Sequence, residues 1–308
     1  MLTTNLAVSA GPPSALIPSG LTLMYRGSLE SCNYSCHYCP FAKRKDSRQR
    51  LAKDAAEVAR FVAWVAAQQR NINVFFTPWG EALVRRHYRQ AIAQLAALPQ
   101  VQQVALQTNL AGPLTWLQTG KMAAEVRAKI ALWCTFHPDQ TSMSRFLARC
   151  ATLRDYGVRF SVGVVALQAH FPAIRALRAA LPSDCYLWLN AYDRRGAEYY
   201  SQDDIQFLES IDPWFAYNRQ ASASRGKPCR AGAEVLSVDG DGELQRCHFV
   251  TQRLGNLYQD ALQDMLQERA CPRFKCECFI GYAQRRDLPF QAAFGDGVLA
   301  RIPLVLKP

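Results

Sequence analysis

The chain has 308 residues, 49% of them hydrophobic and 20% charged. That balance suits one large globular domain or two and excludes a disordered chain. No apolar run approaches the roughly 18 residues of a spanning helix, which excludes that class of membrane protein, while a formal net charge of +11 invites an anionic partner.

The opening stretch, MLTTNLAVSAGPPSALIPSG, lacks the positive start and sustained apolar block of a signal peptide. It reads as a loose lead-in over residues 1–20, and the expected location is cytoplasmic. From residue 21, short runs rich in β-branched and aromatic residues alternate with amphipathic stretches. The predicted strands are LTLMY (21–25), VFFT (74–77), VQQVALQT (101–108), IALWCTF (130–136), RFSVGVV (159–165) and CYLWLN (185–190). After the first, they recur at roughly the 30 residues of one βα unit.

The predicted helices lie between them. In DAAEVARFVAWVAAQ, Val58, Phe61, Val62 and Val65 share one face. Segments 85–97 and 144–156 behave alike, and Gly157 is a plausible stop for the second. Six strands with helical crossovers imply a parallel α/β sheet over 21–192, either open and doubly wound or an incomplete barrel. In both, ligands gather at the carboxyl ends of the strands. The basic run KRKDSRQR (43–50) has no interleaved aromatic residues to stack bases, so it reads as a solvated approach to a helix, and nucleic acid is not the expected partner.

The rhythm stops near residue 193. A turn-rich linker, 193–226, carries one predicted helix near Asp203 to Ile211. Segment 227–285 then holds five cysteines, a hairpin in EVLSVDGDGELQRC and a helix candidate over 258–269. It reads as a small module too short to rely on a core of its own and in need of a metal to fold. Residues 286–308 are left as a C-terminal tail.

Eleven cysteines in a chain without an export signal cannot all pair, so they read as metal ligands or redox groups. Cys134, Cys150 and Cys185 stand singly in apolar segments and read as core residues. Cys32, Cys36 and Cys39 fall in ESCNYSCHYC, directly after the first strand. Structural zinc wants four closed ligands and catalytic zinc rarely takes three thiolates; His37 is awkward as a fourth because its neighbour Cys36 is itself a ligand. A four-iron, four-sulfur cluster on three cysteines instead leaves one iron open to a reagent.

Here CxxxCxxC, with Tyr38 before its third cysteine, resembles the signature of the radical S-adenosylmethionine (SAM) superfamily. The resemblance implies a partial (β/α)6 barrel whose [4Fe-4S] cluster, on Cys32, Cys36 and Cys39, binds SAM. One electron would cleave SAM to methionine and a 5′-deoxyadenosyl radical that abstracts a substrate hydrogen, with flavodoxin or ferredoxin as the reducing partner. It also implies SAM contacts at Gly80 and Glu81 in TPWGEAL, where Trp79 replaces the first glycine of the usual motif, and at Thr108 and Asn109. His137 either faces the cavity or serves a turn.

Cys229 and Cys247, with Gly242 five positions before the second, resemble the opening of SPASM and twitch modules, which hold auxiliary iron–sulfur clusters. The resemblance implies a second [4Fe-4S] cluster on Cys229, Cys247, Cys276 and Cys278. Cys271 is then a spare thiol able to donate hydrogen to a substrate radical, or else a ligand replacing Cys276 or Cys278. The layout is similar to antibiotic-tailoring members of the neomycin C epimerase type. It implies epimerisation of an aminoglycoside or other sugar-like small molecule, with an acidic pocket from Asp139, Glu198, Asp203 or Asp204 to receive a polycation. The alternatives are an aminocyclitol or alcohol dehydrogenase, a peptide-modifying maturase, and a non-catalytic metal module that binds RNA.

Overall fold

The computed structural model describes residues 20–42, 44–118, 120–192 and 198–305. Lys43 of the basic run and Asp193, beyond the sixth strand, lie outside them, as do 1–19 of the lead-in and residues 194–197 of the linker.

Six strands lie close to where the sequence predicts them: β1 (Leu21–Arg26), β2 (Ile72–Phe76), β3 (Val101–Thr108), β4 (Ile130–Phe136), β5 (Arg159–Ala166) and β6 (Leu187–Ala191). The helices between them are α1 (Arg48–Ala66), α2 (Arg86–Ala97), the short α3 (Ala124–Ala128), α4 (Met143–Asp155) and α5 (Phe171–Ala180). Helix α1 begins earlier than its apolar stripe because Ser47 caps it, accepting from the Arg50 N–H at 3.1 Å.

The strands pair in parallel and in sequence order, each with the next. A doubly wound sheet reverses its order at a switch point; this one does not, so the winding is that of a barrel wall. Among the described residues no pairing joins β6 to the opposite edge, and the wall stays open.

Beyond β6 come α6 (Gln202–Ile211), where Ser201 and Asp204 form a capping box, then α7 (Phe215–Arg219) and the two-residue β7 (Ser222–Ala223). The predicted hairpin is β8 (Val235–Asp239) and β9 (Glu243–Cys247), turning at Gly242 with φ 87°. It does not stand apart. Strand β8 pairs in parallel with β1, and an unpredicted β10 (Val250–Asn256) extends the sheet to nine strands.

Of the helix candidate over 258–269, only α8 (Leu262–Met265) forms. The Gln267 N–H donates across to the Gly232 carbonyl, not back along a helix. The chain then runs through β11 (Lys275–Cys276), paired with β7, α9 (Phe279–Tyr282) and α10 (Phe290–Phe294).

Side chains alternate across the strands. Leu23, Tyr25, Val74 and Phe76 face the helices, whereas Met24, Phe75, Ala105, Trp133 and Trp188 face inward. That inner face is filled by Phe279, Tyr282, Phe290, Phe294 and Val298, so most of the segment expected to be a tail is the barrel's plug. Phe290 and Phe294 are almost completely buried, each contributing roughly 1.5–3 kcal/mol of apolar burial. Beneath the cavity floor Arg301 is 3% exposed, with its guanidinium 4.1 to 4.7 Å from the rings of Phe279, Trp188 and Trp133.

Candidate functional site

At the carboxyl ends of the strands lies a cavity of about 880 Å³, lined by Cys32, Cys36 and Cys39 on one side and by Cys229, Cys247, Cys271, Cys276 and Cys278 on the other. Cys134, Cys150 and Cys185 are buried in the core, as expected.

Three acidic residues beneath the first cysteine loop hold its entry. The Asp46 Oδ2 accepts from the Glu30 N–H at 3.0 Å, the Ser31 N–H at 2.8 Å and the Ser31 hydroxyl at 2.7 Å. Burial opposes its charge, but these donations and Arg50 outweigh that and hold the carboxyl below its ordinary range. Asp54, fully buried, accepts from the Leu29 N–H at 3.0 Å and meets His87 Nε2 at 2.7 Å. Glu57 accepts from the Ser28 N–H and hydroxyl. Sequence reading missed this clamp, although Asp54 and Glu57 stand on the apolar face of α1, where a solvated acid does not belong.

Gly80 lies against the same loop. A Cβ there would sit 2.1 Å from the Ser31 carbonyl oxygen, whereas neighbouring Trp79 opens to the cavity mouth and stacks on Phe41 with centroids 6.2 Å apart. Gly80→Ala should therefore push the loop away at a cost of about 1–3 kcal/mol. A lowered melting temperature and poorer iron retention are the measurements that check it.

The Glu81 carboxylate turns into the protein. It accepts from the Thr108 hydroxyl at 2.7 Å and from the N–H groups of Leu83 at 3.0 Å and Asn109 at 2.6 Å. Burial raises its pKa, and these donors partly offset the shift. Gly80, Glu81, Thr108 and Asn109 all belong to the cavity wall, yet the side chains of Glu81 and Thr108 engage each other. The Asn109 amide donates to Asn33 Oδ1 at 3.0 Å and reaches Cys32 Sγ at 3.6 Å, tying the third strand end to the first cysteine.

His137 lines the cavity with Nδ1 2.8 Å from the Tyr38 hydroxyl and 3.4 Å from Cys36 Sγ. Burial lowers its pKa to about 4, so it is neutral at neutral pH. His37 points outward, 69% exposed and 3.9 Å from Asp139.

Burial raises the pKa of the thiols of Cys32, Cys36, Cys229, Cys247 and Cys276. The Cys276 thiol is pushed up to about 12 by burial and by Cys247, Cys229, Cys271 and Cys278, in that order of effect. Cys271 also acts on Cys229 and Cys247. Burial pushes Cys32 up to about 11. Crowded buried thiols of this kind suit a cationic centre, which deprotonates them on binding. Among the described residues no group of three His, Cys, Asp or Glu is placed to hold a single metal ion. Thiols spread around a cavity fit a multi-iron cluster, in which each iron takes one thiolate, better than one tetrahedral zinc.

None of the acids expected to receive a polycation lines this cavity. Asp139 pairs with His170 at 3.3 Å, Asp204 accepts from Gln168 at 2.9 Å, and Glu198 and Asp203 are exposed elsewhere. Described residues of the basic run are solvated or paired, Arg50 with Glu30 at 2.8 Å. No helix is long and apolar enough to cross a membrane among the described residues.

No protein-family model and no curated protein matches the sequence. The fold does match solved structures. Against histidine-tagged anSMEcpe with bound AdoMet the TM-score is 0.52 at 14% identity, covering 80% of this chain and 77% of that one. With native anSMEcpe bound to AdoMet and the Cp18Cys peptide it is 0.51 at 14% identity, covering 80% and 79%. With SuiB of Streptococcus suis bound to S-adenosylmethionine it is 0.50 at 14% identity, covering 82% of this chain and 66% of that one. At this identity the likeness is one of fold, a fold that holds AdoMet in those proteins.

Proposed function

We propose that the chain is a radical SAM enzyme carrying a second, auxiliary cluster and acting on a small polar molecule. The observation that carries this reading is the convergence of both cysteine groups on one cavity at the strand ends, in a fold shared with AdoMet-bound proteins. Cys32, Cys36 and Cys39 would hold the first cluster, with Asn109 and the backbone beside Gly80 available to SAM. When bound, cluster and SAM supply the radical that removes a hydrogen atom from the substrate.

For the auxiliary set we favour Cys229, Cys247, Cys276 and Cys278, all on the cavity wall. Cys271, which also lines the cavity, is then the spare thiol. In an epimerisation, Cys271 would give its hydrogen atom to the substrate radical. The resulting thiyl would be restored by one electron and one solvent proton, so a turnover consumes two electrons, one for SAM and one for the thiol. A flavodoxin or ferredoxin would deliver both.

Protein reconstituted anaerobically with iron and sulfide should bind about eight irons and, with dithionite, convert SAM to 5′-deoxyadenosine. Iron-loaded protein that leaves SAM intact would overturn the reading. Cys278→Ala should bind about four irons fewer, whereas Cys271→Ala should keep them all; the reverse pattern would move the donor role to Cys278. Solvent deuterium in the product would mark epimerisation, and an oxidised product without it a dehydrogenase.

A further inference from the structure

Arg26 is the last residue of β1 and, two positions beyond Met24, shares its inward face. It lines the cavity beside Trp79, with its guanidinium 5.6 Å from that ring's centroid. Its one hydrogen bond among the described residues runs from Nε to the Thr77 carbonyl at 2.9 Å, which fixes the fork and leaves both terminal nitrogens without a protein acceptor.

The other cations on the wall are engaged or lie at the rim. Arg246 donates to the carbonyls of Ala270 and Arg269, and Arg285 is paired with Asp287 at 2.6 Å. Arg273 and Lys275 are exposed. The acids on the wall do not answer Arg26, for Glu81 is turned inward to its three donors and Glu277 is exposed. Burial lowers the Arg26 pKa to about 10, and it stays protonated at neutral pH. A part-buried cation without a counter-ion is costly, and an arginine fork matches the two oxygens of a carboxylate or phosphate.

We propose that Arg26 is an anion-binding subsite, and that the small molecule taken by this cavity carries a carboxylate or phosphate group that docks on its guanidinium beside the Trp79 ring. The preferred substrate is thus an anion, not the polycation implied by the antibiotic-tailoring layout. Naming the ligand a substrate rests on the radical SAM reading; the subsite itself does not.

Benzoate and benzylamine, matched in size and opposite in charge, test it by ligand-observed NMR titration of the cluster-loaded protein with SAM present. Benzoate should bind at least about tenfold more tightly, a difference of about 1.4 kcal/mol. Arg26→Gln should abolish the preference, Arg26→Lys should keep part of it, and Arg273→Gln at the rim should leave it intact. Equal binding of the two probes to the unaltered protein overturns the proposal without any variant. So does a benzoate affinity untouched by Arg26→Gln, or an Arg26→Gln variant that loses SAM binding as well, since the fork would then hold the SAM carboxylate. SAM affinity is read in the same samples: benzoate binding without SAM binding would sink the radical reading and leave the anion subsite standing.

Discussion

Replacing Cys36 with alanine should abolish 5′-deoxyadenosine formation and remove about four irons per chain from the reconstituted protein. Cys36 is 6% exposed, lines the cavity and has its Sγ 3.4 Å from His137 Nδ1. The first loop offers only three thiols, so losing one leaves two on a cluster that needs each iron held and one kept open. His37 points outward, the Asn109 amide near Cys32 is a donor, not a ligand, and the His137 Nδ1 beside Cys36 is held by the Tyr38 hydroxyl at 2.8 Å. Cys150→Ala is the matched control. Its thiol is buried against the core under α4, so that variant should lose about 1–2 kcal/mol of stability and none of its iron. Iron counts and product chromatography separate the two effects, and a Cys36→Ala protein that still cleaves SAM would exclude this loop as the cluster site.

The second large effect is on folding. Glu81→Ala should destabilise the protein by about 3–5 kcal/mol, because it leaves the Thr108 hydroxyl and the Leu83 and Asn109 N–H groups buried without an acceptor, each worth roughly 1–3 kcal/mol. That is a large share of the roughly 5–15 kcal/mol by which a domain is stable. Glu81→Gln should fall between, since its one oxygen still accepts while its amide faces a donor. Denaturant midpoints check both, and an unchanged midpoint for the alanine variant would show that the carboxylate does not hold the second and third strand ends together. Loss of SAM binding beyond what unfolding explains would add a contact through the Asn109 side of the network.

Sequence alone determined what is local. The two-residue alternation of the strands and the apolar stripe of α1 are backbone geometry, so six strands and three of the helices between them were legible with their boundaries within a few residues. The hairpin at Gly242 and the two clusters of cysteines were legible for the same reason: turn chemistry and ligand spacing act over a handful of positions. The tertiary structure decided what depends on distant partners. It chose a barrel wall over a doubly wound sheet through strand order, and joined β8 to β1 across more than half the chain. It also turned most of the expected tail into the plug, because Phe290 and Phe294 sit in short pieces without a readable period. Asp54 and Glu57 interrupt the apolar face of α1, but which loop amides they receive is decided only by the fold. The same holds for the cavity. Spacing grouped the thiols, but only packing could bring Cys32 and Cys278 to one cavity and place the Arg26 cation, without a carboxylate to answer it, on its wall.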